Sequence, residues 1–137
     1  MIDRVNAKDL GIHSASFSFD DRYIVLKDNG RPSVLWIWDV KRDRLRAQLV
    51  FVSPVLSFAW NLTRNTLAIV TSNQTLYFWE SDSIVWVLLP NRKFLYLLSQ
   101  KGIIGMSSIE WRPSGDCLLI VGGDTFQICR ISSYPVC

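Results

Sequence analysis

The sequence predicts an all-β protein assembled from a repeated antiparallel sheet, and three observations carry that prediction. A pattern of apolar residues and turns recurs in one register at Phe17, Trp60 and Trp111. β-Branched and aromatic residues crowd the segments between turns, and no stretch sustains a helical period. With 137 residues, 49% hydrophobic and 20% charged, the chain has the size and composition to bury a core.

Each unit opens on a short alternating strand that ends at its aromatic residue: Ala15 to Phe17, Ser57 to Trp60, and Ser108 to Trp111. These ends lie 43 and 51 residues apart. A polar turn follows (SFDDR, NLTRNT, RPSGD), then a second strand centred on Ile24-Val25, Leu67-Ala68 or Leu118-Leu119. Asn, Gly, Asp and Ser suit such turns because they tolerate left-handed backbone or bond the chain two residues on. A second turn (DNGRPS, TSNQ, GGD) leads into a third strand, VLWIWD, TLYFWE or TFQICR, reaching Trp38, Trp79 or Cys129. A fourth strand is expected twice, over Leu45 to Val50 and Ile84 to Leu89, and is expected to be missing after the third copy. Pro32, Pro54, Pro90 and Pro113 fall in turns or between units, where a missing N–H costs nothing.

The third strand is apolar on both sides. Trp36 and Trp38 point one way, and Leu35 and Ile37 the other. Both faces therefore need covering, which four-stranded sheets achieve by stacking radially in a β-propeller. Units of about 40 to 45 residues closed by Trp-Asp resemble the WD40 family. Trp38-Asp39 is intact, Trp79-Glu80 is a conservative departure, and Cys129-Arg130 replaces the pair. The expected fold is thus all-β, a partial WD40 β-propeller of about two and a half antiparallel four-stranded blades. Its parts are a lead-in over 1–14 placed to supply the outer strand of a preceding blade, blades over 15–50 and 55–90, an insertion over 91–105, an incomplete blade over 106–131, and a tail over 132–137. Phe17, Trp36, Trp38, Asp39, Trp60, Trp79 and Trp111 are its structural anchors.

Two consequences follow from the resemblance. Val50-Phe51 stands where the family often has Gly-His, so the usual hydrogen-bond tetrad of His, Asp, Ser/Thr and Trp cannot form. The blades are then expected to be held mainly by aromatic burial, with Phe51 only packing. A propeller needs typically about 4 to 8 blades, so the end faces here leave large apolar side chains uncovered. Such a chain is expected to self-associate or to seat against the remaining blades of a larger propeller.

FDDRYIVLKDNGRPSVLWIWDV, SPVLSFAW at Ser53 to Trp60, LAIVTSNQTLYFW at Leu67 to Trp79 and IEWRPSGDCLLIV carry a narrower likeness. Together they resemble the C-terminal part of the spindle-pole and centrosomal WD-repeat protein eight family. That resemblance implies work at the centrosome and spindle pole, in a complex that anchors microtubule minus ends, with other proteins of that complex as partners.

The residues offer little chemistry. His13 is the sole histidine, so a metal site of several imidazoles is excluded, and nothing brings it to a cysteine as a dyad. Cys117, Cys129 and Cys137 show no C-x-x-C spacing, and Cys117 and Cys129, lying in apolar runs, are expected to be buried thiols. Asp20, Asp21, Asp28 and Asp116 sit in turns, and Gly122-Gly123 lacks a phosphate loop after it. No catalytic, cofactor-binding or metal-ligating residue is assigned, and the reading is a non-catalytic protein–protein interaction scaffold without a cofactor.

The net charge of +3 is modest, but Lys41, Arg42, Arg44 and Arg46 lie within six residues. This cluster is a solvated turn or, as the candidate partner-binding site, a docking patch for an acidic protein. Phe94 to Leu98 reads as core packing before it reads as a docking segment. Ile84 to Leu89 and Phe94 to Leu98, the longest apolar runs, fall short of the roughly 20 residues of a membrane-spanning helix, so no membrane partner is expected. MIDRVNAKDLG has no apolar stretch to act as a secretory signal, so a cytoplasmic setting is expected and the sequons at Asn61 and Asn73 are coincidental. Two alternatives stand behind the leading one: a WD40 scaffold of another complex, such as a ubiquitin-ligase substrate receptor or an RNA-processing assembly, and a nucleic-acid-binding module using the same four cations. Few aromatics interleave those cations, which ranks the last reading lowest.

Overall fold

Apolar alternation broken by Asp, Asn and Gly turns gives twelve strands in three sheets among the described residues. The structure, a computed structural model, describes residues 12–73, 75–80, 83–88, 107–123, 125–131 and 135–136. The insertion at 91–105, with its Phe94 to Leu98 segment, and positions 1–11 of the lead-in lie outside these residues. The first sheet holds β1 (Ile12–Phe17), β2 (Tyr23–Asp28), β3 (Val34–Asp39) and β4 (Arg44–Val50). The second holds β5 (Val55–Trp60), β6 (Thr66–Thr71), β7 (Leu76–Glu80) and β8 (Ser83–Leu88). The third holds β9 (Ser108–Trp111), β10 (Cys117–Gly122), β11 (Thr125–Ile131) and β12 (Pro135–Val136). In every sheet the strands neighbour one another in chain order. All pairings are antiparallel.

Two boundaries differ from the sequence expectation. The fourth strand expected to be missing after the third copy is present: in β12, Val136 pairs with Arg130 and Pro135 with Ile131. Two residues are too few to show alternation, and Pro135 is tolerated because it opens the strand. At the other end, β1 starts at Ile12, opposite Asp28, so positions 12–14 of the lead-in pair with the first sheet's own β2.

The turns form as their acids dictate. The Asp28 carboxylate accepts the Gly30 N–H at 2.8 Å, and that of Asp20 accepts the Arg22 N–H at 3.1 Å. Asp21 and Asp43 take left-handed φ values of 59° and 52°. These are the local bonds and backbone for which Asp is chosen in turns.

The sheets stack face to face, and their alternation sends successive residues of one strand into different cores. Leu67 and Ile69 of β6 join Tyr23, Val25, Leu35 and Ile37 between the first and second sheets. Their neighbours Ala68 and Val70 join Trp111, Leu118 and Ile120 between the second and third. All six residues of β6 are accordingly buried, which requires a covering layer on each side.

Candidate protein-interaction site

The basic turn joins β3 to β4 and is built around a buried carboxylate. One oxygen of Asp39 accepts the Arg42 N–H at 3.1 Å, and the other faces Arg22 Nη2 at 3.7 Å. Arg22 also lies over the Tyr23 ring, 5.2 Å from its centroid. With Asp43 in left-handed backbone, the chain reverses and leaves Lys41, Arg42, Arg44 and Arg46 exposed together. The guanidinium of Arg46 sits 5.8 Å from the Trp79 ring centroid, so it ties β4 to the second sheet as well as adding charge. Lys41, Arg42 and Arg44 form an exposed cationic turn whose field is screened by salt.

The anchors divide by junction. Tyr23 stacks on Trp60 with centroids 6.4 Å apart, while Trp79 meets both rings edge-on at 5.6 and 6.0 Å. Trp111 meets Phe78 edge-on at 6.2 Å in the second junction. The indole N–H of Trp60 donates to the Ser16 carbonyl, and that of Trp111 to the Ala59 carbonyl, each at 2.9 Å. One tie is thus made twice, from an anchor back to the residue before the preceding anchor. Phe17 occupies the same register but is 54% exposed, against 5% for Trp60 and 4% for Trp111. It pairs with Ile24, which pairs with Trp38, so these three share the face turned away from the second sheet. Trp36 lies on that face too, paired with Leu26, and both tryptophans are only partly covered.

Phe51 packs on Tyr77 with centroids 4.8 Å apart, in line with its expected role. Aromatic burial is nevertheless not the whole of the adhesion, because a row of polar ties crosses each junction. Between the first two sheets, Lys27 Nζ donates to the Val55 carbonyl at 2.6 Å and Asn65 donates to the Asp20 carboxylate at 3.1 Å. Between the second and third, wholly buried Asn61 donates to the Gly115 carbonyl at 3.0 Å, and the Ile109 N–H reaches the Ser57 hydroxyl at 3.2 Å. Asn61, read from the sequence as part of a turn and a sequon, is therefore an inter-sheet tie whose side-chain oxygen also accepts the Thr63 N–H at 2.8 Å.

Burial raises the pKa of Asp20, but bonds from the Ser18 hydroxyl, the Asn65 amide and the Arg22 N–H together hold it below the ordinary aspartate range. Asp116 is also lowered, chiefly by the Ser114 hydroxyl and further by Arg112, 3.8 Å away. Each acid is taken up by its own turn and neighbours. Among the described residues no three His, Cys, Asp or Glu group as metal ligands, and no helix is long and apolar enough to cross a membrane. Cys117 is a buried free thiol, whereas Cys129 is wholly buried and disulfide-bonded, so the expectation of two buried thiols holds for Cys117 alone.

No protein-family profile matches the chain. The WD repeat-containing protein WRAP73 of Mus musculus is 30% identical to it over 131 residues, an alignment that takes in 96% of this chain and 26% of that protein. The chain thus spans about a quarter of the length of this relative. The crystal structure of the Cps50 (Swd1) β-propeller domain of Myceliophteria thermophila superposes with a TM-score of 0.61 at 16% identity, over 87% of this chain and 40% of that one. An alignment to a WD-repeat protein along nearly the whole sequence, with a propeller superposed on its three stacked sheets, shows a chain similar to WD-repeat proteins and with the fold of part of a β-propeller.

Proposed function

We propose that the chain is a non-catalytic protein-interaction scaffold whose recognition surface includes the basic turn at Lys41, Arg42, Arg44 and Arg46. The observation that carries this reading is that turn itself: exposed cations held on stacked sheets by a buried aspartate. Loops on a rigid scaffold are where binding residues concentrate. Within this reading the assembly is cytoplasmic, at the centrosome and spindle pole, and anchors microtubule minus ends with other proteins of that complex. The support for this finer part is the likeness of the repeat segments to the spindle-pole family of WD-repeat proteins.

Affinity capture from cell extract tests the surface. Charge reversal of Lys41, Arg42 and Arg44, sparing Arg46 because it packs on Trp79, is expected to remove a defined set of co-purifying proteins. Raising ionic strength toward about 1 M, where screening acts within roughly 3 Å, is expected to release the same set from the unmodified chain. Identical partners in both captures would sink the assignment of this turn, and captured nucleic acid lost with the reversal would favour the nucleic-acid reading. Imaging of the tagged protein in mitosis addresses the setting, where diffuse signal with no focus at the poles would remove the centrosomal part.

A further inference from the structure

The basic turn runs directly into an open sheet edge. Among the described residues β4 pairs with β3 alone and forms the last strand of the first sheet. The Phe51 N–H donates to the Ser33 carbonyl at 2.8 Å, and from there the register runs without a break from Val50 opposite Val34 to Ala47 opposite Ile37. Bonded and unbonded pairs alternate along an antiparallel ladder. Leu49 and Ala47 therefore exchange bonds with Leu35 and Ile37, while the backbone N–H and C=O of Gln48 and Val50 point outward, away from β3. Among the described residues no strand pairs with that outward side.

The side chains of β4 sort by chemistry as well. Arg44 pairs with Asp39 and Leu45 with Trp38, and the register slips between Ile37 and Trp38. That bulge places Arg46 beside Ala47 on the side of β4 facing the second sheet, where Arg46 meets Trp79. Arg44 shares this side, because its partner Asp39 pairs with Tyr23, a core residue of the first junction. Leu45, Gln48 and Val50 take the opposite side, with Leu45 44% and Val50 71% exposed. The edge thus offers cations along one side and aliphatic groups along the other, and β4 carries no carboxylate. Cations on an open edge repel a second copy of the same strand, one of the ways proteins guard such edges. They admit a strand of opposite charge.

We propose that β4 takes up an extended acidic segment of a partner protein as an added strand of the first sheet. Its carboxylates lie beside Arg44 and Arg46, and its alternate, apolar residues lie beside Leu45 and Val50. Main-chain bonds to Gln48 and Val50 hold such a strand, and side chains at period two decide which strand is accepted. Lys41 and Arg42 in the turn add attraction at one end of it. The inference rests on the basic turn being a recognition surface and adds how the partner is held there. The edge lies in the plane of its sheet, so further sheets stacked on either outer face of the three leave it open.

The probe is an acetylated peptide of alternating Val and Glu, about six residues long as a typical strand is. Titrated into the 137-residue chain, it is expected to slow hydrogen exchange at the Gln48 and Val50 amides, which lack a ladder partner in the free chain, and to be released as salt rises. The same peptide N-methylated at every amide keeps its charge and is expected not to bind. Gln48→Pro removes an outward N–H and no ladder bond, so it is expected to keep its strand signal in circular dichroism and to weaken peptide binding about tenfold. If that variant does not fold, the two peptides decide without it. Equal binding of both peptides, or binding without protection at Gln48 and Val50, overturns strand addition and leaves charge alone as the contact. Absence of peptide binding overturns it too, as does an oligothymidylate that binds where the peptide does not, a result that favours nucleic acid. Charge reversal of Lys41, Arg42 and Arg44 judges the turn separately: partners lost on reversal, beside a peptide that never binds, remove the added strand and keep the turn.

Discussion

Gly115 lies against the turn between β5 and β6 of the second sheet. Its φ is +77°, and a Cβ there would lie 2.3 Å from Thr63 Oγ1 and 2.6 Å from Asn61 Oδ1. Neither neighbour yields easily, because Asn61 is buried and both are bonded to each other. Gly115→Ala is expected to lower the unfolding free energy by about 2 kcal/mol or more, through backbone strain and loss of the Asn61 bond. Gly123 also has positive φ, at +62°, but its Cβ would meet open space. Gly123→Ala is expected to cost only about 1 kcal/mol. Urea titrations compare the two, and equal midpoints would show that the close approach at Gly115 is immaterial. Asp20 supplies a pH-dependent contribution. Its lowered pKa means that the stabilisation is full above the ordinary aspartate value and is lost as pH falls through and below it. Asn65→Ala removes one of the responsible bonds, so acid unfolding of that variant is expected to show a shallower loss over the same window.

At the scale of the strand, the repeated indole tie is the informative feature. Trp60→Phe keeps an aromatic ring against Tyr23 and Trp79 but leaves the Ser16 carbonyl without its donor, and Trp111→Phe does the same to Ala59. Each is expected to cost about 1 to 3 kcal/mol from the orphaned carbonyl and the smaller ring. Hydrogen exchange should rise first along the strand pair at the altered junction, and unchanged protection of both sheets would argue against the tie. The strands themselves were legible because period-two alternation and turn residues are local properties. β12 was not, since a two-residue strand opening on proline has no period to read. The ties from Trp60 to Ser16, Trp111 to Ala59 and Asn61 to Gly115 link residues 44, 52 and 54 positions apart. They follow from how sheets stack, which no window of sequence contains.

For the whole molecule, the outer faces of the first and third sheets are the two that no other sheet covers among the described residues. Large apolar side chains lie open on both, yet each face repeats a surface that is buried elsewhere in the chain. If copies associate through these faces, association stabilises the folded form by mass action, and the thermal midpoint is expected to rise with protein concentration. A midpoint independent of concentration would show that copies do not associate through these faces. The basic turn was legible as a charge cluster. Its support was not, because Asp39 reaches Arg22 across a strand pair and Arg46 reaches Trp79 in the next sheet.

The amino-acid sequence by itself determined the strands, the turns and the register in which three copies repeat, because each depends on the spacing of residues within a few positions. Tertiary structure decided which repeated positions became core. Phe17 and Trp60 hold the same place in their units, and one lies open while the other is enclosed. Burial of a sheet's face is conferred by the sheet laid against it, so the identity of the residue alone does not fix its environment.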